Sequence, residues 1–155
     1  MKIKAKHINS ENFLKFGSIV IPPTCGPTSQ AAGYKFWSDI AHYKINGATE
    51  IGICTVYKQP TNLITGMERH MLTPEFLIPF DSSFVLPVLV EGDKGSKAEA
   101  FQVRVGEAII INQAVWHGAC VPVGKNESTY FVIFRRKTPV EDVEKKNVIE
   151  IEIEI

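Results

Sequence analysis

The chain has 155 residues, 45% hydrophobic and 22% charged, which is enough apolar material for one substantial core and too little charge for a disordered segment. Its 17 basic and 17 acidic residues cancel, so no overall positive field draws nucleic acid or an anionic membrane surface. Cys25, Cys54 and Cys120 cannot all pair within the chain, the N-terminal stretch lacks the apolar run of a signal peptide, and a single cytoplasmic domain over residues 1–155 is expected.

In chain order, Asn9 or Ser10 caps a short helix through Phe16, with Glu11 in its first turn and Gly17 past its end. Strands are predicted over residues 18–21, 34–42, 50–56, 76–80, 84–91, 98–105, 108–111 and 128–136, all rich in β-branched, aromatic and alternating apolar residues. Turn formers separate them: Pro22-Pro23, Gly26-Pro27, Asn46-Gly47, Asp81-Ser82, Gly92-Asp93, Gly95 and Gly124, at intervals suited to antiparallel meanders. Many short strands without crossover helices predict an all-β sandwich, jelly roll or barrel. Residues 139–146 read as one polar helical turn. Residues 148–155 alternate apolar and acidic side chains, which suits an edge strand closing its own sheet first and a strand added across a dimer interface second.

The chemistry-bearing residues fall into two groups. Gly106, followed by Glu-Ala-Ile-Ile-Ile and then Asn112-Gln-Ala-Val-Trp-His117, keeps the glycine-to-histidine spacing of the second cupin motif, G-x5-P-x-G-x2-H. Asn112 and Ala114 stand in place of the proline and the second glycine. Upstream, Gly66-Met-Glu68-Arg-His70-Met-Leu-Thr-Pro-Glu75 resembles the first cupin motif, H-x-H-x4-E, with Glu68 at the first histidine. Strand alternation turns Glu68 and His70 to one face and Arg69 to the other, and a strand returning after Thr73-Pro74 brings Glu75 back. Either histidine alone reads as an ordinary hydrogen-bonded residue, but the joint spacing predicts that Glu68, His70, Glu75 and His117 share one site. Two imidazoles and two carboxylates suit a divalent metal such as manganese, iron, nickel or zinc without choosing between them. His7 and His42 stay outside the site, Arg69 is expected in a surface ion pair, and Trp116 in the core or the pocket wall.

Three stretches resemble the ureidoglycolate lyases, a family with a cupin fold: Glu11-Asn-Phe-Leu-Lys-Phe-Gly17-Ser-Ile-Val; Glu68-Arg-His70 with Phe76-Leu-Ile-Pro79; and Val115-Trp-His117 with Phe131-Val-Ile-Phe-Arg135. The likeness spans residues 11–136, and its middle stretch is the most specific. The chain departs from the family pattern at Gly118-Ala119, where a second histidine and a proline are usual, at Phe134, where an aspartate is usual, and in its acidic tail. The resemblance implies a jelly-roll barrel, a homodimer, and cleavage of ureidoglycolate to glyoxylate and urea in purine and allantoin catabolism. It implies catalytic roles for Glu68, His70 and His117, with a metal held by Glu68, His70, Glu75 and His117. Glu68 or Glu75 would shuttle a proton if its surroundings lifted its pKa toward neutrality. Arg135 and Lys58 are the candidate cations for the substrate carboxylate, and Trp116 a wall beside it. Two other readings compete: a cupin-shaped module that binds a small carboxylate or sugar acid without turning it over, and a different cupin enzyme such as an isomerase or a metal-dependent oxygenase.

Overall fold

The computed structural model describes residues 1–91 and 97–155, so the turn expected at Gly92-Asp93 and Gly95 lies outside the described residues. Strands dominate. The first half of the chain forms β1 (Lys2–Lys4), β2 (Lys6–His7), β3 (Gly17–Val20), β4 (Ser29–Ala31), β5 (Tyr34–Phe36), β6 (Thr49–Tyr57) and β7 (Leu63–Arg69). The second half adds β8 (Glu75–Pro79), β9 (Phe84–Leu89), β10 (Glu99–Val103), β11 (Ala108–Ile111), β12 (Trp116–His117), β13 (Val121–Pro122), β14 (Glu127–Arg135), the one-turn helix α1 (Thr138–Glu141) and β15 (Glu144–Glu154).

Two sheets enclose the core. One has eight strands in the order β1-β15-β7-β12-β9-β10-β2, with β13 alongside β9, and the other has five in the order β3-β11-β8-β14-β6. Phe13, Phe16, Leu77, Phe84, Leu86, Phe101, Ile109, Ile111 and Tyr130 are packed together between them. A second apolar cluster, including Met67, Val85, Trp116, Ile151 and Ile153, lies on the other face of the large sheet. There the N-terminal segment closes the curl, since β1 runs parallel to β15 at one end and β2 runs parallel to β10 at the other. The result is the expected all-β, cupin-type jelly-roll barrel.

Three local expectations change. The predicted N-terminal helix is a pair of consecutive turns: Asn9 Oδ1 accepts the backbone N–H groups of Glu11 and Asn12, and Asn12 Oδ1 accepts that of Asn9. It cannot lengthen, because Gly17 already begins β3, so close to β11 that a Cβ would sit 1.8 Å from the Ile110 carbonyl oxygen. The strand expected over residues 34–42 ends at Phe36, since the Ser38 amide turns to Thr28 Oγ1 and Asp39 adopts a positive φ of 63°. Finally, the alternating tail is not an edge strand: it pairs antiparallel to β7 on one side and, over Glu152–Glu154, parallel to β1 on the other.

Ala114 reports on the second motif directly. It occupies the position of the motif's second glycine and adopts that glycine's conformation, with φ of 65°, while its amide donates to the His70 carbonyl at 2.8 Å. A Cβ in the left-handed region costs roughly 1–2 kcal/mol, against a gain of about 0.4–1 kcal/mol from a stiffer unfolded chain. Ala114→Gly is therefore expected to stabilise the fold by up to about 1 kcal/mol, raising the thermal midpoint by about 2–4 °C, and a scan showing a lower midpoint contradicts this.

Candidate active site

The site forms where the chain crosses between the sheets. Glu68 lies on β7 and His70 just past its end; His117 ends β12, directly opposite Glu68 in the register of the large sheet. Glu75 opens β8 in the five-stranded sheet, where it pairs with β11. Glu75 therefore does not return on a hairpin beside His70, as its spacing suggested. It faces the histidines across the gap between sheets.

These four side chains converge. His70, Glu75 and His117 are buried, at 6%, 8% and 5% exposure, and Glu68 is half-buried. Glu75 Oε2 lies 3.0 Å from His70 Nε2 and 3.2 Å from His117 Nε2, and the imidazole centroids are 5.2 Å apart. Yet Glu75 Oε2 and His117 Nε2 have no well-directed hydrogen bond among the described residues. Glu68, His70 and His117 each also offer a donor atom within 4.8 Å of the others. Buried imidazole and carboxylate donors this close together, with an open side, have the chemistry that fits a divalent metal.

The electrostatics follow from this packing. Burial alone would raise the Glu75 pKa, but His117 and then His70 outweigh it and hold the carboxyl down at about 2. Burial alone would lower the His70 pKa, but the approach and charge of Glu75, the Asp142 carbonyl and the charge of Glu68 reverse this and leave it raised. The two imidazoles thus favour the anionic form of Glu75, and the raised carboxyl pKa needed for a proton shuttle is not found there. Burial pushes the thiol of Cys120 and the phenol of Tyr130 far upward, so both stay neutral in the cavity wall.

A cavity of about 470 Å³ opens on this group, lined among others by Glu68, Glu75, His117, Cys120, Tyr130 and Lys145. An adjoining space of about 670 Å³ reaches His70 and Phe134 from the side of α1. Of the other expected site residues, none lines either space. Lys58 lies exposed just beyond β6 and donates its amide to the Asn126 carbonyl. Arg135 belongs to the outward set of β14, where Tyr130, Val132 and Phe134 take the inward positions, and it lies 3.8 Å from Glu141. Trp116 is buried on the opposite face from His117, with Arg69 and Lys146 each 4.4 Å from its ring centroid. Arg69 makes the expected surface ion pairs, with Glu144 and Glu91.

Asp142, just past α1, was not foreseen. Its carboxylate accepts the amides of Met71 and Leu72 at 2.8 Å each, and its carbonyl lies 2.6 Å from His70 Nδ1. The carbonyl can only accept, so it holds a proton on Nδ1 and leaves Nε2 as the nitrogen that faces Glu75. No short-range signal marks this residue, because its partners lie some 70 positions earlier in the chain.

A family model described as ureidoglycolate lyase matches residues 1–154. A ureidoglycolate lyase of Chelativorans sp. (strain BNC1) is 24% identical over 139 residues, covering 84% of each chain. Ureidoglycolate lyase 2 of Rhizobium meliloti (strain 1021) is 26% identical over 135 residues, covering 83% of this chain and 82% of that one. Among solved structures, a mutant of Bacillus subtilis oxalate decarboxylase superimposes with a TM-score of 0.45 at 17% identity, over 57% of this chain and 22% of that one. Hazelnut (Corylus avellana) vicilin gives a TM-score of 0.48 at 5% identity, over 64% and 26% of the two chains.

The pKa directions set a pH test. A raised His70 contributes stability that is present below its ordinary value of 6.5 and lost as pH rises through its folded value. A depressed Glu75 contributes stability present above its ordinary 4.5 and lost as pH falls through about 2. Metal-free protein is therefore expected to melt progressively earlier as pH rises above the ordinary histidine value of 6.5, with Glu75→Gln flattening that slope. Excess divalent metal should reverse it, because metal takes imidazoles without their proton. A rising midpoint in the metal-free protein contradicts the ion pairing described.

Proposed function

Because the chain belongs to the ureidoglycolate lyase family, we propose that it cleaves ureidoglycolate to glyoxylate and urea. The observation that carries this reading is the buried group of His70, His117 and Glu75, with Glu68 beside it, opening on a cavity sized for a small polar molecule. The reaction is the collapse of a hemiaminal: the hydroxyl proton leaves, a carbonyl forms, and the carbon–nitrogen bond breaks as the urea nitrogen gains a proton. No covalent intermediate is required, which suits a cavity whose one lining thiol stays protonated.

His70, His117 and Glu75 would hold a divalent metal, with Glu68 within reach as a further donor. Bound there, the metal would supply Lewis-acid polarisation of the substrate's hydroxyl and carboxylate oxygens. Glu68, half-buried at the edge of the cavity, would take the hydroxyl proton and return it to the departing nitrogen. The Asp142 carbonyl keeps the His70 ring oriented throughout. Leu77 and Leu86 give the cavity an apolar wall, and Tyr130 a neutral hydroxyl donor.

The reading is tested with purified protein and racemic ureidoglycolate, with and without added nickel or manganese, measuring urea against the spontaneous background. Release well above background is expected, and His117→Ala should lower it by at least about a hundredfold with near-native melting. If urea never rises above background while small carboxylates still raise the melting midpoint, the chain is a binding module instead. If His117→Ala melts early but keeps its activity, His117 is a packing residue.

We further propose that the chain works as a homodimer, through the outer face of the five-stranded sheet. Ile51 and Ile53 are 69% and 68% exposed there, flanked by half-buried Phe131 and Ile133, and β6 is the free edge of that sheet. Light scattering should give a dimer mass for the native chain and a monomer mass for Ile53→Glu, whereas a native monomer at all concentrations overturns the assembly.

A further inference from the structure

A row of polar side chains runs across three neighbouring strands of the large sheet. Lys145 on β15 stands opposite Glu68 on β7, and Glu68 stands opposite His117 on β12. With strands about 4.8 Å apart, the row carries a cation, a carboxylate and an imidazole over about 10 Å, the reach of a small acid with a polar far end. Alternation fixes which way Lys145 turns. Its neighbours Glu144 and Lys146 lie on the opposite face, the first paired with Arg69 and the second set over Trp116 and bound to Glu91. Lys145 is left on the cavity face, lining both spaces that meet at Glu68 and Glu75. Among the described residues it has no ion-pair partner.

We propose that Lys145 binds the carboxylate of the substrate and so presents the reacting carbon to Glu68 and His117. The inference rests on the reading that this cavity takes a small carboxylate. It replaces Lys58 and Arg135, which line neither space, with a cation supplied by the C-terminal strand. An ammonium at the end of the row attracts a carboxylate through charge-assisted hydrogen bonds. A neutral analogue gains nothing from this arrangement.

The test compares malonate with its neutral diamide, malonamide, by calorimetric binding to the native protein, Lys145→Met and Lys145→Arg. Lys145 is exposed, so the fold should survive both substitutions, with melting unchanged. Lys145→Met is expected to weaken malonate binding by about ten- to a hundredfold, Lys145→Arg to keep most of it, and malonamide to be indifferent to either. With ureidoglycolate, the same variant should raise KM far more than it lowers kcat. The proposal is overturned if the native protein binds no malonate, if Lys145→Met binds it within about twofold of native, or if malonamide is weakened equally. Should the native protein release no urea, the lyase reading fails, but the comparison of malonate with malonamide still decides the role of Lys145.

Discussion

A carboxylate cannot stay ionised inside an apolar core without partners, and Glu75 is the residue on which this requirement falls. It opens a strand whose inward positions lead into the main core, and the two buried imidazoles that compensate it come from the facing sheet. Much of the local architecture serves to keep that arrangement. The chain must cross between sheets within the residues separating His70 from Glu75, and Asp142 holds that crossing by two backbone amides. Phe134, where the resembled family usually has an aspartate, meets the His70 ring edge-on at 6.1 Å and confines it from the other side.

The sequence was readable where the information was local and periodic. Glu68 and His70 share a face because they are two apart on a strand, and the spacing from Gly106 to His117 marked a turn, a strand and a histidine after it. The expectation of a hairpin return for Glu75 failed because spacing does not say which sheet a strand joins. Arg135 lies on the outer face, which the inward alternation of Tyr130, Val132 and Phe134 already implies. Lys58 lies past the last residue of its strand, where alternation gives no guidance.

What stayed hidden was long-range. Lys145 and Asp142 lie in the segment read as a polar turn, and their significance comes entirely from β15 lying against β7. That pairing was half visible, since the alternating tail asked for a buried face, but its register was not. A β-bulge or irregularity between Asn147 and Ile151 separates the tail's apolar alternation from the stretch that reaches the cavity. Extrapolating the pattern backward from residues 148–155 would therefore not have fixed which way Lys145 points.

The stack of Arg69, Trp116 and Lys146 has a consequence for observing this protein. Each member is the chain neighbour of a residue in the row facing the cavity: Arg69 follows Glu68, Trp116 precedes His117, and Lys146 follows Lys145. The two faces are the front and back of the same three strands, so any shift of the row on taking up a ligand is transmitted to the spacing of two cations above an indole. Indole emission is sensitive to nearby charge, which makes Trp116 a built-in optical probe reading the cavity from behind without touching its contents.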